Sequence, residues 1–242
     1  MSAQPERAAK EVLAGEPQEA ARAWLGPLVF AMFALFALDT YLVAAGVLTR
    51  IFDVPITTFV QGVSWGPLVY PMELINASAG IWQELLGAVA IVVMFIVDRR
   101  AGWLMLIGSI SSLLDNVIKL VISRHRPPAD LVHILVPATG FSYPSGHAVF
   151  FTWLGFMVAA SLAPRVKPSF RPLLWLGALI LIALTCLARV WAGDHWPSDV
   201  LGGVMLGTGW SAFVLWLPER WLPSPSLKWF GGRLRRPGAS GS

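Results

Sequence analysis

At 242 residues, 56% hydrophobic and 13% charged, with a mean hydropathy of +0.64, the chain is too apolar for an ordinary soluble domain, in which about a quarter of residues are charged. The formal charge is +4 and the pI near 9.6, yet the basic residues flank apolar runs instead of forming a soluble basic face, so membrane topology explains them and nucleic acid is not an expected partner. The one cysteine, Cys186, lies inside an apolar run, which excludes an intrachain disulfide and a cysteine-based metal site and leaves a small buried apolar residue as its plain reading.

Residues 1–24 are polar and mixed in charge, and read as a cytosolic lead-in in the form of a frayed helix. Their acids and the length of the apolar run behind them are wrong for a cleavable signal peptide. Leu25 to Leu48 is long enough to span, since about 20 apolar residues cross the hydrocarbon core. Asp39 interrupts it, and either faces the bundle interior or sits near enough to the interface to stay hydrated. Residues 49–79 mix Pro55, Pro67 and Pro71 with Phe52, Phe59, Trp65 and Tyr70, which suits a segment lying along the interface. Asn76-Ala77-Ser78 matches a glycosylation sequon, a match too short to carry weight.

Further spans are expected at about Gly80–Val97, ended by Asp98-Arg99-Arg100, at Trp103–Ile122, at Gly146–Leu162, at Leu173–Ala192 and at Ser198–Leu217. A basic turn with Arg165, Lys167 and Arg171 joins the fourth to the fifth, and Gly202, Gly203, Gly207 and Gly209 in the sixth would let neighbouring helices approach closely. The tail 218–242 is basic, then Gly- and Ser-rich, and expected to be disordered. The expected fold class is therefore all-α: a six-span transmembrane helical bundle with an interfacial segment between the first two spans, in one domain at 25–217 without internal repeats.

With six spans, the segments on the side of both termini hold 13 of the 18 Lys and Arg residues, which puts that side in the cytoplasm. The other five are Arg50, Lys119, Arg124, Arg126 and Arg189. An integral plasma (inner) membrane protein with cytoplasmic termini follows, and with it an outer, periplasmic or exterior, location for three clusters of polar residues.

The first cluster is Lys119 with Arg126 and Pro127. A continued helix would put the cations on one face about 10 Å apart along its axis, but Pro127 and Pro128 forbid much continuation. Lys119 is therefore expected in the last turns of the third span with Arg126 folding back from the loop, and Asp115 one turn earlier could hold the lysine in place. Alone, the pair reads first as cations snorkelling at a helix end. The second is Pro144-Ser145-Gly146-His147, where Ser145 suits a helix N-cap and the first N–H groups of the helix form an anion site that glycine lets a ligand approach. A capped helix that happens to carry a histidine is the alternative. In the third, Asp199 follows His195 by four residues, so its carboxylate can accept a hydrogen bond from one imidazole nitrogen and leave the other as a lone-pair nucleophile, while Arg189 reaches the same edge. Together these residues suffice to grip a phosphate and attack its phosphorus without a metal.

Lys119 with six residues to Arg126-Pro127, then Pro144-Ser145-Gly146-His147, then Arg189 with five to His195 and three more to Asp199, resembles the three-part signature of the type 2 phosphatidic acid phosphatase superfamily. The resemblance implies that His195 attacks phosphorus to form a phosphohistidine, that Asp199 orients it, and that His147 protonates the leaving oxygen. It likewise implies that Lys119, Arg126, Ser145, Gly146 and Arg189 hold the phosphoryl oxygens. One departure is Ala188, where many members carry serine before the arginine. His125 and His133 match no motif position and read as solvated, although their loop, with Arg124, Phe141 and Tyr143, could touch a head group. Trp65, Trp103, Trp191 and Trp196 are expected to anchor the membrane faces.

The expected activity is metal-independent and cofactor-free hydrolysis of a lipid phosphate or diphosphate, of the undecaprenyl diphosphate, phosphatidate or phosphatidylglycerophosphate class. A lipid phosphotransferase would use the same phosphohistidine, and a non-enzymatic lipid or anion transporter is the alternative from another class. The resemblance extends to vanadium haloperoxidases, which are soluble, unlike this apolar chain. The oligomeric state is not encoded in any of these features.

Overall fold

Long apolar runs leave the backbone no water to bond, so its polar groups must satisfy one another within helices. The computed structural model describes residues 4–218, and every regular element there is helical. α1 (Gln4–Ala44) contains the first span, Ala23–Ala44, and ends before Gly46. A π-helical turn (Thr49–Asp53) leads into α2 (Val54–Gly62), and a 3-10 turn (Gly66–Leu68) into α3 (Val69–Ala77). Prolines sit in the first turn of α2 and of the 3-10 element, where a missing N–H costs nothing. The interfacial segment expected at 49–79 is thus a chain of short helices.

Gly80, at φ +64°, breaks the chain between α3 and α4 (Ile81–Val97), and the two helices meet at 86°. Asp98 then starts α5 (Arg99–Gly108) by accepting the Ala101 N–H at 2.9 Å on its side chain, an N-cap that holds its carboxyl below the ordinary range. After a break at Ser109 comes α6 (Ile110–Ile122), and the two together form the span Arg99–Ile122. α7 (Gly146–Leu162), α8 (Arg171–Trp191) and α9 (Pro197–Trp216) complete the bundle. Among the described residues, five spans are long and apolar enough to cross a membrane, and α3 with α4 supplies a sixth if that bent pair is one crossing. The expected second span, 17 residues as α4, qualifies only in that combination. Apart from Pro218, the tail expected to be disordered lies outside the described residues.

α7 and α9 form the middle of the bundle, being 67% and 61% buried across their spans against 17% for α1. Trp153, Met157 and Val149 of α7 lie in the core with Met105 of α5, Met72 of α3 and Val214 of α9. The outward faces carry Leu113, Val117, Leu120 and Val121 of α6 and Ile81 and Trp82 of α4, all exposed, as side chains that meet lipid tails are. α9 reaches α7 through its glycines. A Cβ on Gly203 would stand 2.7 Å from the Ala148 Cβ and from the Ser145 carbonyl oxygen, and one on Gly207 would stand 2.8 Å from the Thr152 Cβ. This close packing sets the first turns of α7 and α9 side by side, joined by the Ser145 N–H donating to the Asp199 carbonyl at 2.9 Å.

Asp39 of α1 faces the interior, which settles its two readings. Its carboxylate accepts the Tyr143 hydroxyl at 2.9 Å, and Thr40 lies 2.8 Å from the same hydroxyl. The first helix is thereby tied to the loop that enters α7.

Gly203→Val is expected to lower stability by about 1–3 kcal/mol, the range for overpacking a filled core. Thermal unfolding in detergent micelles measures this, and an unchanged midpoint would mean that the α7–α9 spacing is not limiting.

Candidate active site

Three elements deliver the polar residues to one end of the bundle: the end of α6 with the loop behind it, the start of α7, and the turn from α8 into α9. A cavity of about 440 Å³ there is lined by Lys119, Arg126, Gly146, His147, Arg189 and His195, with Ala79, Gly80, Gln83 and residues 137–139 completing its wall. Six of the eight predicted site residues therefore share one cavity. Ser145 and Asp199 stand behind it, both fully buried.

The cations are held by buried acids, as charges in a low-dielectric setting must be. Lys119 Nζ donates to the Asp115 carboxylate at 2.6 Å, the pairing expected from their spacing. A side chain on Gly146 would put its Cβ 3.0 Å from Asp115 Oδ2 and 3.2 Å from Lys119 Nζ, so glycine is what admits this pair to the start of α7. Arg126 folds back from the loop as expected: Ser123, at φ 50°, ends α6, and Arg126 donates to the Asp194 carbonyl at 2.7 Å and to the Thr139 and Gly140 carbonyls. Arg189 is gripped by Asp194 Oδ2 through Nη2 and by Asn76 Oδ1, at 2.6 Å, through Nη1.

His195 is 2% exposed. Burial, opposed by the Asp194 carboxylate and reinforced by the Arg189, Arg126 and Lys119 cations, pushes its pKa well below the ordinary value, so the ring is neutral. Its Nε2 lies 3.3 Å from Arg126 Nη1. A guanidinium only donates, so a hydrogen bond there requires a lone pair on Nε2 and places the proton on Nδ1, which faces Asp199.

Asp199 departs from the expected geometry. Its Oδ2 is 3.5 Å from His195 Nδ1, longer than an ordinary hydrogen bond. The reason is competition: Oδ2 accepts the Trp196 N–H at 2.8 Å, and Oδ1 accepts Arg124 Nη1 at 2.6 Å. Ser145 also differs. It holds the N-cap position of α7, but its side chain caps nothing, and Oγ has no protein partner. His147 Nε2 and Arg189 Nε are buried and likewise unpartnered. Gly193, at φ +73°, sets the turn before His195, because a Cβ there would collide with the His133 carbonyl oxygen.

Four partners escaped the sequence reading. Asp194 and Asp53 were unmarked, Asn76 was noticed only as a sequon, and Arg124 was placed where it could touch a head group. Arg124 is instead locked between Asp199 and Asp53, whose charges overcome the effect of burial and hold its pKa above the ordinary value. Tyr143 is fully buried, burial pushing its phenol pKa up, and so is not free to touch a head group, and Trp196, 2% exposed, does not reach a membrane face. His125 and His133 are exposed and outside the cavity, as expected. Ala188 is buried, and its carbonyl accepts Asn76 Nδ2 at 3.3 Å, so Asn76 links that position to Arg189. Among the described residues, no three His, Cys, Asp or Glu side chains are grouped as metal ligands.

The chain is 30% identical over 129 residues to an undecaprenyl-diphosphatase of Sulfolobus acidocaldarius, covering 52% of this chain and 58% of that protein. It is 32% identical over 107 residues to phosphatidylglycerophosphatase B of Bacillus subtilis, covering 43% and 51% respectively. These matches span about half the length of the curated relatives. The crystal structure of a transmembrane PAP2-type phosphatidylglycerolphosphate phosphatase from Bacillus subtilis superposes with a TM-score of 0.65 at 25% identity, over 77% of this chain and 93% of that one. The apolar helices and this likeness to a transmembrane structure make the chain an integral membrane protein. A sequence model of the PAP2 superfamily matches residues 100–223, a stretch that holds Lys119, Arg126, Gly146, His147, Arg189 and His195 of the cavity wall, and the chain belongs to that superfamily.

Proposed function

We propose that the protein hydrolyses a lipid phosphate or diphosphate through a phosphohistidine on His195. The observation that carries this reading is the cavity itself, where a neutral imidazole stands among three cations with its Nε2 lone pair turned to Arg126, 3.3 Å away. Lys119, Arg126 and Arg189 face two carboxylates, Asp115 and Asp194, leaving one net positive charge for an anion to neutralise. The unpartnered Arg189 Nε, on the cavity wall, is a donor that a phosphoryl group would satisfy.

In the proposed reaction, the His195 Nε2 lone pair forms a bond to phosphorus as the bond from phosphorus to the lipid oxygen breaks. His147, which takes up a proton as the phosphate dianion enters beside it, gives that proton to the oxygen. Water then attacks phosphorus, the N–P bond breaks, and the water's proton goes to His147, releasing phosphate and restoring both rings. Lys119, Arg126, Ser145, Arg189 and the backbone at Gly146 hold the phosphoryl oxygens through both steps, charge stabilisation that needs no metal. Asp199 Oδ2, 3.5 Å from Nδ1, favours the proton on that nitrogen by its charge and offsets the positive charge of the phosphorylated ring.

The lipid is proposed to belong to the undecaprenyl diphosphate, phosphatidate or phosphatidylglycerophosphate group, with the first favoured. The names of the relatives support a polyprenyl diphosphate or a phosphoglyceride. The Lys and Arg distribution supports a site on the outer face and termini in the cytoplasm.

Phosphate release from each of the three lipids, by protein purified in detergent with EDTA present, tests the reading. Activity should persist in EDTA and fall at least about 10³-fold in His195→Ala, the scale set by loss of a nucleophile. Release without an acceptor lipid separates hydrolysis from phosphotransfer, and activity that survives His195→Ala would remove the nucleophile assignment. A pH profile adds a second check. The reaction needs neutral His195, whose pKa is depressed below 6.5, so the acid limb of kcat/KM should lie below that value. A limb above it would contradict the assignment.

A further inference from the structure

Arg124 belongs to none of the three motif clusters, yet it makes the most extensive side-chain contacts near the nucleophile. Nη1 donates to Asp199 Oδ1 at 2.6 Å and to Ser198 Oγ at 2.7 Å, while Nη2 donates to Asp53 Oδ2 at 2.6 Å and lies 3.3 Å from Thr49 Oγ1. Asp53 is fully buried, and its other oxygen accepts the Ser198 N–H at 2.9 Å, in the first turn of α9. One planar fork thus spans two carboxylates that come from different parts of the chain, a geometry open to arginine and not to lysine.

We propose that Arg124, anchored by Asp53, is a positioning residue for the reaction: it fixes Asp199 by Oδ1 so that Oδ2 faces His195 Nδ1, and thereby keeps the Nε2 lone pair in the cavity. This rests on the reading of His195 as nucleophile. Asp199 stands at the third position of α9, and its carboxylate could otherwise turn both oxygens to the backbone of that first turn, since one of them already accepts the Trp196 N–H. The sharing has an electrostatic side. A guanidinium divided between Asp53 and Asp199 leaves that group with one net negative charge behind the imidazole, opposite the net positive cavity. Were Arg124 paired with Asp199 alone, the carboxylate would have nothing left to offset the phosphorylated ring.

The test uses the full chain in detergent micelles with ¹⁵N-imidazole-labelled histidine, the His195 signals being identified by their loss in His195→Gln. The wild type should show the Nδ1–H tautomer. Arg124→Gln should lose that preference, and its kcat should fall about 100-fold, the cost of misplacing a reacting group by an ångström. KM should stay within about two-fold, because the phosphate-holding residues are untouched. Arg124→Lys, which keeps the charge and loses the fork, should recover part of both, with kcat down about 10-fold. Gel filtration checks that each variant is folded. If Arg124→Gln is not, Arg124→Lys and Asp53→Asn carry the same two measurements. A wild-type tautomer together with wild-type kcat in the folded variants overturns the proposal. If the wild type hydrolyses none of the three lipids, the tautomer alone decides the role of Arg124, an unchanged tautomer overturning it, and the missing hydrolysis counts against the phosphatase reading only.

Discussion

The structure depends on pairing charges inside a bundle that offers them little water. Four cations stand at one end of the apolar helices, and each meets at least one carboxylate: Lys119 with Asp115, Arg124 with Asp53 and Asp199, Arg126 and Arg189 with Asp194. Removing one member of such a pair leaves a bare buried charge, commonly a loss of about 3–5 kcal/mol. The pairs also distribute charge unevenly across His195. The cavity side is one cation in excess, and the side behind the ring is one anion in excess, so the ring lies on a gradient before any ligand arrives.

That arrangement requires two helix starts to lie within hydrogen-bond reach, and the glycine face of α9 provides it. Gly203 and Gly207 bring α9 against Ala148 and Thr152 of α7 at backbone distance. The bond from Ser145 N–H to the Asp199 carbonyl then fixes the two first turns relative to each other. In a membrane, where apolar surface gains nothing by leaving lipid, such backbone-close packing is what holds helices together. Packing energy and site geometry therefore come from the same few residues.

The helical class, the ends of α7 and the gathering of Lys119, Arg126, His147, Arg189 and His195 at one end were legible in the sequence. Apolar run length reports spans directly, and residues that grip one anion recur at spacings fixed by the helices that carry them. The partners of those residues were not legible. Asn76 meets Arg189 across 113 positions and Asp53 meets Arg124 across 71, with no local spacing rule to connect them. Arg124 looked like a loop cation because its two carboxylates are distant in sequence. Ser145 and Asp199 lie in the helix starts their spacing implied but make other bonds than expected: one leaves its backbone uncapped by its side chain, and the other spends an oxygen on the Trp196 N–H. Local pattern named the groups, and tertiary competition assigned their hydrogen bonds.

The match to the superfamily begins at residue 100, but the hydrogen-bond network does not. Asp39, Asp53 and Asn76 all precede it, and each holds a buried polar group from within it: Tyr143, Arg124 and Arg189 respectively. A module cut at the edge of the shared pattern would carry all the motif residues and still be short of three buried partners. The first third of the chain is the other half of a joint, and the unit that evolution could exchange or an engineer could graft extends back at least to the first membrane helix.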